Sequence, residues 1–159
     1  MRIINTGGTF NKIYDPIAGE LVVPRDDRAI ERILSAIHLK LPVVGAIYKD
    51  SLEMDDGDRA ELTRLIEAAD GDVVVVHGTD TMDRSADFVA RRIQKRCVVF
   101  TGAMIPASID PTEASANLTL AISKLLYDRE PGVFIAMHGL VAPYEKIYKD
   151  RQKGVFCLR

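Results

Sequence analysis

The chain has 159 residues, 47% of them hydrophobic and 28% charged, with 21 basic residues against 23 acidic ones for a formal net charge of -2. This length suits one domain with its own core, and the composition excludes both a disordered chain and a membrane-embedded one. With no long block of either sign, nucleic acid and membrane surfaces are not expected partners.

Arg2 to Asn5 predicts a short apolar strand that breaks into Thr6-Gly7-Gly8-Thr9, where paired glycines permit positive φ and close backbone approach to a ligand. Phe10 to Pro24 carries Asp15-Pro16 and Ala18-Gly19 turn signals, so a hairpin or a long flexible loop is expected, with Tyr14 inside it. Asp26 to Leu39 sets Ala29, Ile30, Ile33, Leu34 and Ile37 at helical spacing and closes before Pro42. Val43 to Tyr48 reads as a strand, followed by Lys49-Asp50-Ser51-Leu52-Glu53-Met54. Asp55 or Asp56 would cap the next helix, whose apolar stripe is Leu62, Leu65, Ile66 and Ala69.

Val73 to Val76 is an apolar run without alternation, which predicts a strand buried on both faces of a parallel sheet, and it leads directly into His77-Gly78-Thr79-Asp80-Thr81. The following helix buries Met82, Ala86, Val89, Ala90 and Ile93, with Thr79 or Asp80 expected as its N-cap. Cys97 to Phe100 is another buried strand and ends in Thr101-Gly102-Ala103-Met104-Ile105-Pro106. Asp110-Pro111-Thr112-Glu113 then opens a helix continued inward by Ala114, Leu118, Ala121, Ile122 and Leu125. Gly132 to Met137 forms a strand, and a polar segment leads through Lys149 to a last apolar piece, Val155 to Leu158. Strands alternating with single helices predict a three-layer α/β/α sandwich around a mostly parallel sheet. The Thr9, Ser51, Thr79 and Ala103 regions would then share the carboxyl edge of that sheet, where open α/β sheets bind ligands.

The N-terminus turns polar after two isoleucines, too soon for a secretory signal, so a cytoplasmic protein is expected. Cys97 and Cys157 read as small buried hydrophobes, and His38, His77 and His138 lack metal-ligand spacing.

A threonine hydroxyl is a weak nucleophile at neutral pH and needs a base. For Thr79 the candidates are Lys149, as proton acceptor once partly desolvated, and Asp80, holding the ammonium in place. For Thr9 the candidate is Tyr14, reaching back when its loop closes. Backbone N–H groups at Thr79 and in the glycine turns could stabilise an oxyanion, completing the parts for acyl transfer. Each residue also has an ordinary reading. Thr9 can cap a turn, Thr79 and Asp80 a helix; Lys149 can be solvated, Tyr14 a loop anchor, Ser51 a turn residue and His77 a structural histidine.

Taken together, TGGTF at Thr6 to Phe10, HGTDTM at His77 to Met82 and TGAMIP at Thr101 to Pro106 resemble the bacterial L-asparaginase family, the first two being similar to its active-site threonine signatures. The likeness covers most of the chain and implies a short form: residues 1–159 as a single N-terminal-type domain, without the second, smaller domain of full-length members. The resemblance implies hydrolysis of L-asparagine to L-aspartate and ammonia, with L-glutamine a poorer substrate, no cofactor or metal, and a homo-oligomer, dimer or tetramer. Thr9 would be the nucleophile activated by Tyr14, and Thr79, Lys149 and Asp80 a second triad, with Lys146 competing for the lysine's place. Substrate would be held by Gly8, Ser51, Gly78, Thr79, Asp80 and Ala103, with Ser51 on the α-carboxylate and Asp80 on the α-ammonium. Leu52 departs from the family, where a polar residue is common.

Overall fold

The computed structural model describes residues 1–159. In chain order the strands are β1 (Arg2–Gly7), β2 (Ile13–Asp15), β3 (Glu20–Val22), β4 (Val43–Lys49), β5 (Val73–Val76), β6 (Cys97–Thr101), β7 (Gly132–Met137), β8 (Leu140–Pro143), β9 (Ile147–Asp150) and β10 (Val155–Leu158). The helices are α1 (Arg28–Ala36), α2 (Asp56–Glu67), α3 (Met82–Ala90) and α4 (Pro111–Tyr127). Six strands form one sheet in the order β4-β1-β5-β6-β7-β8. All neighbours are parallel except β8, which runs antiparallel to β7.

The valine run explains why the sheet is the middle layer. In β5, Val74 and Val76 pack with Ile30, Ile33 and Leu34 of α1 and with Leu118 and Ile122 of α4. Val73 and Val75 point the other way, onto Leu62 and Ile66 of α2 and Met82 and Val89 of α3. Each side holds a cluster of 18 buried residues, so neither face of the sheet is left to solvent and no alternation was needed in the strand. The result is the α/β/α sandwich expected from the chain's alternating elements. No helix is long and apolar enough to cross a membrane.

Local chemistry sets the helix ends. Asp55 accepts from the Asp58 amide at 2.9 Å while the Asp58 carboxylate accepts from the Asp55 amide at 2.9 Å, a reciprocal box that decides between the two candidate caps of α2. Asp110 caps α4 by accepting from the Thr112 amide at 2.9 Å, with Pro111 in the first turn. At α3 the expectation needs correction. The N-cap is Thr81, not Thr79 or Asp80, and Thr81 makes no side-chain capping bond; its hydroxyl donates to the Ser51 carbonyl at 2.8 Å.

The Phe10 to Pro24 stretch resolves into a 3-10 turn at Thr9–Asn11 and the β2/β3 hairpin. The polar segment before Lys149 contains a strand that apolar patterning does not pick out, β8, whose four residues follow directly on Gly139. The β9/β10 hairpin is anchored by Ile147 and Phe156, both buried in the α2/α3-side core.

Candidate active site

Three strand ends meet backbone to backbone at the carboxyl edge. Gly8, at φ 70°, leaves no room for a side chain, since a Cβ there would lie 2.4 Å from the Cα of Gly78. Gly78 is closed on its other side by Ser51, whose Oγ would be 2.7 Å from a Cβ on Gly78. A Cβ on Gly102 would lie 2.4 Å from the His77 carbonyl oxygen and 3.4 Å from the Thr79 methyl group. Only glycine permits these approaches, and their effect is to draw the ends of β1, β4, β5 and β6 together around Thr79.

Thr79 is buried and its hydroxyl oxygen accepts from a lysine. Lys149 Nζ lies 2.9 Å from Thr79 Oγ1 and 3.0 Å from Asp80 Oδ1. The lysine reaches them from β9, about 70 residues along the chain, and its side chain is largely buried. Lys146, the competing lysine, sits exposed at the end of the turn before β9 and makes neither contact. With both oxygens bonded to one ammonium, Thr79 and Asp80 are side-chain partners of Lys149, which accounts for their absence from the helix cap. Thr79, Asp80 and Lys149 line a pocket of about 180 Å³ that also takes in Asp83, Arg151 and Phe156.

Ser51 is 1% exposed, and its Oγ has no hydrogen-bond partner within the protein. A buried hydroxyl without a partner costs roughly 1–3 kcal/mol. Ser51 is positioned from below by the buried Arg59, which donates to the Met54 carbonyl at 3.0 Å and to the Ser85 hydroxyl at 3.1 Å. Arg59 also reaches Thr81 Oγ1 at 3.4 Å, the hydroxyl that donates to Ser51. Asp50, beside Ser51, binds the Lys12 ammonium at 2.7 Å and the Leu52 amide at 3.1 Å. Burial works against ionisation there, but those two donors hold its carboxyl below the usual range.

Thr9 opens the 3-10 turn, half-buried, and its hydroxyl makes no hydrogen bond within the protein. Tyr14 makes no hydrogen bond to it: the residue is 61% exposed on β2, across from Leu21. The pocket at Thr79 is lined by neither Thr9 nor Ser51. Two of the expected oxyanion donors are also committed, the Gly7 amide to Asn5 Oδ1 at 3.0 Å and the Gly8 amide to the Lys49 carbonyl at 2.9 Å. The Gly7 and Gly8 amides are therefore not free to donate to a ligand. Ala103 packs its methyl group into the α1/α4-side core beside Phe10, leaving only its backbone to face a ligand.

His77 is fully buried. Because a carbonyl only accepts, its Nδ1 carries the proton donated to the Gly78 oxygen at 2.7 Å, leaving Nε2 unpartnered. Burial lowers its pKa to about 4, so the ring is neutral at physiological pH.

Two groups of residues went unnoticed in the sequence. Arg151 Nη1 donates to Asp80 Oδ1 at 2.7 Å; its position two residues after Lys149, near a strand end, is the one signal that places it there. The Glu113 carboxylate accepts from the Met104 amide at 2.9 Å, the Ile105 amide at 3.0 Å and His138 Nε2 at 2.9 Å. His138 Nδ1 in turn accepts from the Phe156 amide at 3.2 Å, and Phe156 pairs with Lys149 across the β9/β10 hairpin. No spacing rule announces this link between the TGAMIP loop and the lysine strand. No group of three or more His, Cys, Asp or Glu side chains is placed to hold a metal ion.

Residues 1–157 match the family model described as asparaginase, N-terminal. Among curated relatives, a glutamyl-tRNA(Gln) amidotransferase subunit from Haloquadratum walsbyi is 30% identical over 150 residues, covering 89% of this chain and 34% of that protein. The protein of the same name from Pyrococcus abyssi is 26% identical over 148 residues, covering 87% of this chain and 33% of that one. Among solved structures, the thermostable L-asparaginase of Thermococcus kodakarensis superposes with a TM-score of 0.82 at 23% identity, over 98% of this chain and 50% of that one. L-asparaginase I of Vibrio cholerae gives 0.83 at 21% identity, over 99% of this chain and 50% of that one. The chain thus spans about a third of those curated relatives and half of those structures. With the family model matched along nearly its whole length, the chain belongs to the asparaginase family, in the N-terminal part of that family's fold.

Proposed function

We propose that this chain is an amidohydrolase that converts L-asparagine to L-aspartate and ammonia through a threonyl ester. The observation that carries the reading is the Lys149 ammonium held 2.9 Å from Thr79 Oγ1 and 3.0 Å from Asp80 Oδ1. In this reading Thr9 Oγ attacks the side-chain amide carbon, and its proton passes to the base brought by the closing hairpin, Tyr14. The C–N bond breaks as the nitrogen takes a proton and leaves as ammonia, and the acyl group stays on Thr9. Water then attacks the ester, its proton passing through the Thr79 hydroxyl to Lys149 in its neutral amine form while Asp80 fixes the lysine, and the C–O bond to Thr9 breaks as Thr9 Oγ takes back a proton and aspartate is released. The orphan hydroxyl of Ser51 is a donor for the substrate α-carboxylate. Residues 1–159 act in this proposal as one N-terminal-type unit, in the cytoplasm and as a homo-oligomer.

The names of the curated relatives favour a second reading, in which the same chemistry feeds ammonia to a larger amidotransferase assembly instead of releasing it. A steady-state ammonia assay with L-asparagine and L-glutamine in parallel separates the two. Turnover of free L-asparagine that Thr9→Ala and Thr79→Ala each abolish, in proteins that remain folded, supports the first reading. Wild-type activity in both variants overturns it, and a folded chain inactive on both free amides points to the assembly.

A further inference from the structure

Arg151 lies in the turn joining β9 to β10 and grips Asp80 twice, through Nη1 to Oδ1 at 2.7 Å and through Nη2 to the backbone carbonyl oxygen at 2.7 Å. Lys149 binds the same Oδ1 at 3.0 Å. Asp80 is therefore compensated by two cations before any ligand arrives. The remaining charged side chains on the pocket wall are Asp83 and Arg159. A ligand α-ammonium approaching Asp80 would come as a third cation on one carboxylate, repelled by both residents. A ligand carrying the same carboxylates but no ammonium meets no such opposition. The Arg151 side chain is 60% exposed and is tied at its head only by these two bonds, so it can be displaced, at the cost of breaking them.

On the amidohydrolase reading above, we propose that Arg151 sets substrate selectivity by compensating the Asp80 carboxylate that would otherwise receive a substrate ammonium. The site then takes ω-monoamides of dicarboxylic acids that lack a free α-ammonium, such as succinamate, at least as well as it takes L-asparagine. Arg151 is a selectivity residue and takes no part in bond making: its removal changes the KM for L-asparagine relative to that for succinamate.

The test uses the full chain as wild type, Arg151→Gln and Arg151→Lys. Calorimetry measures binding of L-aspartate and of succinate, which differ by the α-ammonium, and ammonia release is followed from L-asparagine and succinamate. Wild type is expected to bind succinate as tightly as aspartate or more tightly. Arg151→Gln is expected to tighten aspartate and weaken succinate so that their ratio shifts about tenfold, with Arg151→Lys in between. The KM for L-asparagine falls in step. A ratio equal within about twofold in wild type and Arg151→Gln overturns the proposal, as does a wild type that prefers aspartate more than about tenfold or binds neither ligand. A shifted ratio in proteins that release no ammonia from either amide upholds the Arg151 assignment and counts against the hydrolase reading. An unchanged ratio in an active enzyme does the reverse.

Discussion

Thr9 and Thr79 hold matching places, each one residue past a glycine at the end of a buried parallel strand, and those two glycines touch. Their surroundings differ. The hydroxyl of Thr79 already meets Lys149 at 2.9 Å, because the lysine comes from a hairpin that Ile147 and Phe156 pin into the core. The hydroxyl of Thr9 meets no base, because its candidate partner, Tyr14, rides on a small hairpin whose tip, from Pro16 to Leu21, lies in solvent. A side chain fixed by core packing is in place before a ligand arrives; one carried on a solvent-exposed hairpin depends on closure to reach its partner. The site is thus half assembled, and each half can be disturbed separately.

The heaviest loss is expected on the assembled side. Lys149→Met should cut ammonia release about a thousandfold or more while far-UV circular dichroism stays native, since it removes the base and keeps the stem that packs. A residual rate within tenfold of wild type would mean that Thr79 works without it.

Acid should loosen the same side next. The pKa of His77 falls from an ordinary 6.5 to about 4 in the folded chain, so between those values the unfolded chain binds the proton that the native one refuses. The contribution of His77 to stability is then complete above pH 6.5 and falls by roughly 3 kcal/mol as pH drops through 6.5 to 4. Urea midpoints in wild type and His77→Asn measure this: the variant should show a shallower decline over the window, and parallel curves would remove His77 as the cause.

On the unassembled side, Tyr14→Phe should lower kcat about a hundredfold and leave the thermal midpoint within a degree or so, because an exposed hydroxyl without partners supports no packing. A large midpoint shift with kcat intact would assign Tyr14 to the fold.

Gly78→Ala, at the seam between the halves, should cost about 2 kcal/mol in a denaturant titration, since its Cβ would come 2.6 Å from the Ser51 Cβ. KM for L-asparagine should rise as Ser51 is pushed aside. Unchanged KM would remove Ser51 from substrate binding.

The fold was largely legible because its signals are local. Four valines without alternation placed β5, helical stripes placed α1 to α4, and Asp110-Pro111 marked the start of α4. The carboxyl edge followed from topology. What escaped depends on contacts between distant segments. The capping role given to Thr79 or Asp80 was reasonable for those residue types, but a lysine about 70 residues away outcompetes the helix end for both oxygens, leaving Thr81 as the cap. The commitment of the Gly8 amide to the Lys49 carbonyl depends on how β1 meets β4. Arg151 and the Glu113–His138–Phe156 link join segments that no periodicity relates. Strand β8 was hidden by its brevity and by the proline that ends it.

The most direct test of whether Thr79 and Lys149 act as one unit is a double-mutant cycle on kcat/KM for ammonia release from L-asparagine. It compares Thr79→Ala, Lys149→Met and the two combined. A lysine that works through the Thr79 hydroxyl predicts a double variant no slower than the slower single one, the coupling energy equalling nearly the whole single effect. Losses that multiply independently, or a Lys149→Met enzyme at wild-type rate, would contradict it.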